Sequence, residues 1–425
     1  MSKRIAIVGG GVIGLCTAYY ATERGHRVTV IDRAAEADRG CSYGNAGMIT
    51  PSHFVPLAAP GAIGLALKWM WNPESPFYMR PRLDRRLMEW AWKFQHAATA
   101  GHVKKSAPLL LQLNLASRDC FEQLARDWGN AFSLTPKGII MICNTEAGLK
   151  HEMATAEMGR ALGLPVETLD ATQLATMEPE LSMRAAGGIY FPKDAYLTPE
   201  RFMSAMIERL RERGVDLVWK TAVTGWHAGA GRIDAVTTAS GAVDADEFVI
   251  CGGTWTPEIA RQLKLHLPMQ AGKGYSLTLA RPRKQPAHAM ILSEARVAVT
   301  PMGSALRFGG TMEITGEITG EITGTDLSIN PARVRGIIKA VTKYLPEFTV
   351  DDFQEVQPWA GLRPCSPDGL PYIGRFRSFA NLSVAAGHAM MGLSLGPITG
   401  KLMSELLDGE APSIPMTQLS PDRYA

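Results

Sequence analysis

At 425 residues the chain exceeds what one simple core usually organises, so two domains are expected. Hydrophobic residues at 46%, charged residues at 20% and a formal net charge of +3 describe a globular chain without the basic surface that nucleic acid binding requires. Six scattered cysteines with no C-x-x-C pair argue against a disulfide framework or a zinc site, and point to a reducing, cytoplasmic compartment.

The chain opens on "RIAIV" (4–8), a short apolar run that reads as a buried parallel strand. Gly9, Gly10 and Gly11 follow, then Val12, Ile13 and Gly14, and a helical stretch to about Arg24. These glycines interrupt the apolar start and no small-residue cleavage site follows, so no signal peptide is expected. "HRVTVID" supplies a second strand ending at Asp32, with Arg33 next. Strand, glycine turn, helix, strand and acid are the context a dinucleotide site needs. Gly9 permits the turn, Gly11 lets a pyrophosphate approach, and Gly14 lets the helix pack on the strand. The helix start offers free N–H groups to the phosphates, and Asp32 can accept from both ribose hydroxyls. An acid there disfavours a 2′-phosphate, which leaves FAD or NAD.

Residues 40–51, "GCSYGNAGMITP", are polar, glycine-rich and free of helical periodicity. They predict a loop that can run along the pyrophosphate towards a flavin ring, through Ser42, Asn45, Ala46, Gly47 and Met48. Between Ile63 and Phe94 lie Trp69, Trp71, Trp90 and Trp92, four of the nine tryptophans, with Lys and Arg nearby. Two core helices are one reading of this segment; a peripheral contact with a membrane face is the other. No apolar run approaches the ~18 residues of a membrane-spanning helix.

Helices are expected near 82–98, 107–128, 146–162 and 199–214, and a strand at 137–143. "VDLVWKTAVTGW" predicts strands returning to the N-terminal sheet, followed by a hairpin and the strand of "EFVICGGTW". From 266 to 330 alternating strands dominate, ending in "EITGEITGEITG" (313–324), three copies of a four-residue unit. It reads as a hairpin tip or loop without a role of its own, or as an edge that contacts a partner subunit or an electron acceptor. "WAGLRPCSPDGLPYIG" (359–374) places Arg363 between apolar residues, either as a clamp on a buried acid or as a cation awaiting an anion. Near the end, "AAGHAMMGLSLGPITG" reads as strand, glycine loop and a helix starting near Leu395. That helix start is a second anion site, suited to the electron-rich edge of a reduced flavin.

Taken together, the glycine turn, "CSYGNAG", "EFVICGGTWTPEIA", "WAGLRPCSPDGLPYIG" and "AAGHAMMGLSLGPITG" resemble the D-amino-acid oxidase superfamily of FAD-dependent oxidoreductases. The bacterial D-amino acid dehydrogenases and their glycine-oxidase-like relatives are the nearest part of it. The resemblance implies an α/β fold, in which a Rossmann-type FAD-binding domain is interleaved with an α+β substrate domain built on an antiparallel sheet. Residues 1–52, 170–260 and 361–425 would form the first, and 53–169 and 261–360 the second.

The resemblance also implies non-covalent FAD, held in addition by Val223, Gly252, Gly253, Trp255, Gly387, His388, Gly392, Leu393, Ser394 and Leu395. Arg363 matches the family arginine that binds a substrate carboxylate. Tyr275, on a strand facing the flavin, is a candidate to support it, and His53 is a further candidate contact. Arg307 stands roughly where sarcosine-oxidase relatives carry a lysine that assists oxygen reduction. A second arginine of the glycine-oxidase relatives is replaced by Met390.

The implied reaction is oxidative deamination of a D-amino acid, with hydride transfer from the α carbon to flavin N5. Electrons would pass to a quinone or carrier protein; D-hydroxyproline as substrate and oxygen as acceptor are the alternatives. A homo- or hetero-oligomer is compatible with the sequence.

Overall fold

The computed structural model describes residues 1–36, 38, 40–64, 69, 72, 74–79, 84–316 and 327–425. Trp71 and residues 317–324 of the EITG stretch therefore lie outside the described residues; its first four residues end the strand Ala305–Gly316.

Two sheets organise the described chain. The first runs Tyr372–Arg375, Leu382–Ala386, Glu247–Ile250, Arg4–Val8, Arg27–Ile31 and Asp216–Val218, in that spatial order. All neighbours are parallel except the first pair. "RIAIV" takes the centre because both of its faces are apolar: Ile7 lies between Val249 and Val30 and is fully buried. The helix Val12–Glu23 leaves the glycine turn and packs on the C-terminal helix Gly396–Asp408. Their contact depends on Gly400, where a Cβ would stand 2.5 Å from the backbone of Cys16. Both ends of the chain thereby meet on one face of the parallel sheet.

The second sheet runs Trp359–Cys365, Gln270–Leu279, Ala305–Gly316, Val297–Met302, Ala289–Leu292, Ile139–Cys143, Gly187–Phe191 and Glu167–Leu169, with Phe77–Met79 beside Ala305–Gly316. It is antiparallel apart from two of its pairings. Phe308 meets Phe348 and Phe353 edge to face, under the buried Ile337 and Val341 of the helix Pro331–Tyr344. The mixed α/β architecture read from the sequence is the one observed.

Two expectations are corrected. The helix placed at 107–128 is Ala100–Asp127, because Thr99 caps it by accepting from the His102 N–H, and Pro108 is accommodated inside it. "VDLVWKTAVTGW" does not return to the parallel sheet as a whole: Asp216–Val218 does, but Val223–Gly229 joins a separate three-stranded antiparallel sheet. The break falls at Lys220, held at φ 55°, while Thr221 N–H bonds the Asp32 carbonyl. No helix among the described residues is long and apolar enough to cross a membrane.

Candidate active site

The N-terminal turn is built around glycines that no other residue can replace. Gly9 has φ +119°, and a Cβ there would overlap the Cys251 carbonyl; a Cβ on Gly14 would overlap the Gly9 carbonyl. At Gly11 the space is open, with only Ser42 Oγ within reach, at 3.7 Å from a Cβ position. That is a cradle for a ligand lying on backbone.

Asp32 braces the turn: Oδ2 accepts from Gly10 N–H at 2.6 Å and Oδ1 from Ala34 N–H at 2.7 Å. Each oxygen keeps lone-pair capacity for a further donor such as a ribose hydroxyl. Ser42 Oγ accepts from Val12 N–H at 3.1 Å, seating the 40–47 loop on the helix start that includes Ile13. Arg33 lies over the Trp255 ring at 4.1 Å, and burial lowers its pKa. Gly252 and Gly253 form the turn before Trp255, with Gly253 at φ +55°. Val223 begins the strand two residues after Thr221, which bonds Asp32. The dinucleotide candidates therefore converge from four distant stretches of sequence.

Buried polar atoms without partners among the described residues include Thr254 Oγ1, Trp255 Nε1 and Thr256 Oγ1 at the Gly253 turn and, in the C-terminal glycine loop, His388 Nδ1. Such atoms are costly unless a ligand or water satisfies them. With the cradle at Gly11, this donor set suits an extended polar cofactor such as FAD.

A cavity of about 1170 Å³ adjoins these elements. It is lined by Asn45, Ala46 and Met48 from the loop, and by His388, Met390, Ser394 and Leu395 from the C-terminal end. Gly47 (φ +75°) and Gly387 (φ +79°) adopt turns that favour glycine, and Asn45 Oδ1 accepts from Gly47 N–H, so its carbonyl shapes the loop internally. Gly392 and the buried Leu393 complete the turn into the helix Gly396–Asp408, whose start has no side-chain cap. His388 Nε2 pairs with Thr399 Oγ1 at 3.0 Å; burial lowers its ring to about 3, so it is neutral.

Arg363 faces the same cavity from the edge strand Trp359–Cys365. Its guanidinium crosses to the neighbouring strand and lies against Gly274, where any Cβ would overlap it. Nη1 donates to the Thr311 carbonyl at 2.6 Å. Thr311 has φ 61°, within the stretch where pairing shifts register beside Lys273 and Tyr275. Among the described residues no carboxylate lies within ion-pair distance of Arg363. The acid-clamp reading is thus without support there. Trp359 walls the site beside it, its ring filling the space that Cβ atoms on Gly44 and Gly361 would need.

Tyr275 lines the cavity, but its hydroxyl donates to Glu313 Oε2 at 3.0 Å, and burial pushes its pKa up. Arg307, the fourth candidate, is not among the residues lining the cavity. Nη1 donates to the Tyr43 and Asn45 carbonyls at 3.1 and 3.0 Å, Nε to Thr278 Oγ1 at 3.0 Å, and Nη2 to Glu200. Those four bonds make it a brace of the loop, away from the cavity lining. Cys365 is buried, and burial pushes its thiol up to about 12.

His53 lines the cavity, and sequence reasoning missed what holds it. Its Nδ1 lies 3.1 Å from Ser52 Oγ, and Ser52 donates through N–H and Oγ to the fully buried Asp194, at 2.9 and 2.5 Å. Burial raises the Asp194 carboxyl to about 7 against the pull of those two bonds, and lowers His53 to about 4, helped by the charge of Arg296. Asp194 gave no local signal, being 142 residues from Ser52. Gly274 did give one, as one of two glycines inside a strand pattern, which mark close approach.

The model of the family described as DAO, FAD dependent oxidoreductase, matches residues 4–406. A D-amino acid dehydrogenase of Methylobacterium radiotolerans is 32% identical over 431 residues, covering 99% of both chains. One from Xanthobacter autotrophicus is 32% identical over 428 residues, with the same coverage. Among solved structures, glycine oxidase from Geobacillus kaustophilus shares the fold at a TM-score of 0.78 and 22% identity, over 100% of each chain. L-Proline dehydrogenase from P. horikoshii does so at 0.72 and 18%, over 100% of this chain and 98% of its own.

Proposed function

The chain belongs to the DAO family of FAD dependent oxidoreductases, and from that premise we propose that it oxidises a D-amino acid at the α carbon, as a D-amino acid dehydrogenase. One observation carries the reading: Arg363 faces the cavity with no carboxylate partner among the described residues, oriented by Thr311 and Gly274. A guanidinium so placed is a planar fork for a substrate carboxylate, strengthened by its apolar surroundings. FAD, when bound, supplies the acceptor for a hydride from the α carbon, at flavin N5. The chain's part is positioning. Gly11, the Val12 helix start, Asp32 and Ser42 would hold the dinucleotide; the uncapped Gly396 helix would face the flavin; Arg363 would fix the acid. Such a reaction rests on orientation rather than on a nucleophile–base pair.

The FAD is held non-covalently in this reading, since Cys365 is buried with a raised pKa. Electrons pass to a quinone or carrier protein rather than oxygen, which the engagement of Arg307 with the loop supports. Trp69, Trp90 and Met390 on the cavity wall favour a second substrate reading, a ring such as D-hydroxyproline. Met88 and Trp92, 55% and 59% exposed one turn apart on the helix Arg85–Ala97, support peripheral contact with a membrane face.

The domain division belongs to the proposal too. Strands Gly187–Phe191 and Trp359–Cys365 both belong to the antiparallel sheet, so we move two of the expected boundaries, at 170 and 361, to about 197 and 366. The test is a panel of D- and L-amino acids and prolines, assayed by dye reduction and separately by peroxide release. Turnover of D-substrates with dye and little peroxide is expected; activity confined to L-substrates or to amines lacking a carboxylate would sink the reading.

A further inference from the structure

The segment after the cavity loop is pinned at two points. Thr50 N–H donates to Ser394 Oγ at 3.1 Å, and Ser394 Oγ donates to Asn114 Oδ1 at 3.0 Å. Two residues on, Ser52 is held by Asp194, which sits in the turn between the strands Gly187–Phe191 and Ala195–Tyr196. Met48–Ile49 pairs with that second strand. His53 follows these anchors directly.

We propose that Asp194 and Ser52 are positioning residues that hold His53 in the Nδ1–H tautomer, so that Nε2 serves the cavity as a hydrogen-bond acceptor for the substrate's amino group. The inference rests on the amino acid reading above.

The direction of each bond follows from valence. Above about pH 7, the value to which burial raises the Asp194 carboxyl, the carboxylate is ionised and has no proton to give, so the Ser52 hydroxyl must donate to it. Ser52 Oγ then offers only lone pairs to the ring, and the His53 atom 3.1 Å away must be an Nδ1–H. A neutral imidazole carries one N–H, so Nε2 is left bare. No residue among those described bonds to it.

The surroundings give that acceptor a purpose. The cavity already carries two guanidinium groups, Arg363 and Arg296. Its buried carboxylate, Glu152, is engaged by Ser293 Oγ at 2.5 Å and faces Arg296 at 3.8 Å. A substrate nitrogen bearing N–H groups still needs an acceptor, and a neutral His53 supplies one. His53 and Arg363 line the same cavity, and Arg363 is turned into it by its bond to the Thr311 carbonyl. Arg296 in turn is close enough for its charge to act on His53. One ligand can therefore meet a cation through its acid and an acceptor through its amine.

Asp194→Asn tests the relay, because the new amide can donate to Ser52 Oγ and turn its hydroxyl towards His53. Long-range 1H–15N spectra of histidine-labelled, FAD-loaded protein at about pH 9, above both ordinary carboxyl values and the raised Asp194 pKa of about 7, should show His53 as Nδ1–H. In Asp194→Asn the same ring should appear as Nε2–H, with His53→Gln identifying its signals. In flavin reduction, Asp194→Asn and His53→Leu should raise KM for a D-amino acid about tenfold, the scale of one lost hydrogen bond. His53→Gln, which can restore an acceptor, should recover most of that loss. Binding of a carboxylic acid lacking the amine should stay unchanged in all three.

An Nε2–H tautomer in the wild-type protein would overturn the relay. Equal weakening of amine-bearing and amine-free ligands would overturn the amine contact, as a merely structural role requires. If no amino acid reduces the wild-type flavin, the parent reading and the amine contact both fall, while the tautomer is still read without turnover.

Discussion

The Arg363 guanidinium lies flat on Gly274, on the strand beside its own, in space that a side chain at 274 would fill. The arginine's aim is therefore set by an absent Cβ as much as by its bond to the Thr311 carbonyl. Gly274→Ala should displace it while leaving the cofactor end of the molecule intact. A charge-assisted hydrogen bond is worth about 1.5–3 kcal/mol, so KM for the acid substrate should rise tenfold or more with FAD content unchanged. Steady-state kinetics on the flavin-loaded variant check this, and an unchanged KM would place the carboxylate elsewhere.

Arg307 ties the flavin loop to the antiparallel sheet through the Tyr43 and Asn45 carbonyls. Arg307→Met should therefore loosen FAD before it affects the acid-binding step. The expected outcome is cofactor loss on dilution, with near-normal KM for whatever fraction stays loaded. Flavin fluorescence released against protein concentration measures it.

Gly14→Ala should abolish cofactor binding, because the new methyl would overlap the Gly9 carbonyl and force the helix from the strand. The purified variant should be colourless, and a yellow protein would contradict the assigned turn.

The loop after Arg363 is anchored by a buried ion pair between Asp368 and Arg423, 2.7 Å apart. Burial pushes the Asp368 carboxyl up, but the charge and hydrogen bonds of Arg423 outweigh it and hold the pKa below the ordinary range. A depressed carboxyl contributes stability above its unfolded pKa and loses it as pH falls through the folded value. Arg423→Met leaves Asp368 buried and uncompensated, a change that typically costs about 3–5 kcal/mol. Thermal unfolding should show the largest destabilisation near neutral pH, shrinking as the solution becomes acidic enough to protonate Asp368. A pH-independent difference would argue against this origin.

Local chemistry was the legible part of the molecule. The glycine turn, Asp32 and the Leu395 helix start announce themselves through strand runs and fixed glycine spacing, and the strands and helices expected around them are observed. Arg363 was legible as a misplaced cation, its freedom from an acid was not, since that depends on partners from other strands. The direction of the Arg307 side chain was not legible, because a residue type at a strand position does not state it; four bonds, one to Glu200, turn it to the loop. Ser52 and Asp194 were invisible, because their bond crosses 142 residues and joins a loop to a turn with no motif. The helix expected at 107–128 starts seven residues earlier, at Ala100, with Pro108 inside it and Thr99 as its cap.

The most direct test of the account is anaerobic flavin reduction by Arg363→Leu. Truncating one partner of a desolvated charge pair costs about 2–5 kcal/mol. The variant should therefore bind FAD normally but lose about 30-fold to several thousand-fold in kcat/KM for the D-amino acid, with oxidation of an amine lacking a carboxylate unaffected. A D-amino acid KM and reduction rate equal to wild type would contradict the assignment of Arg363 to the substrate carboxylate.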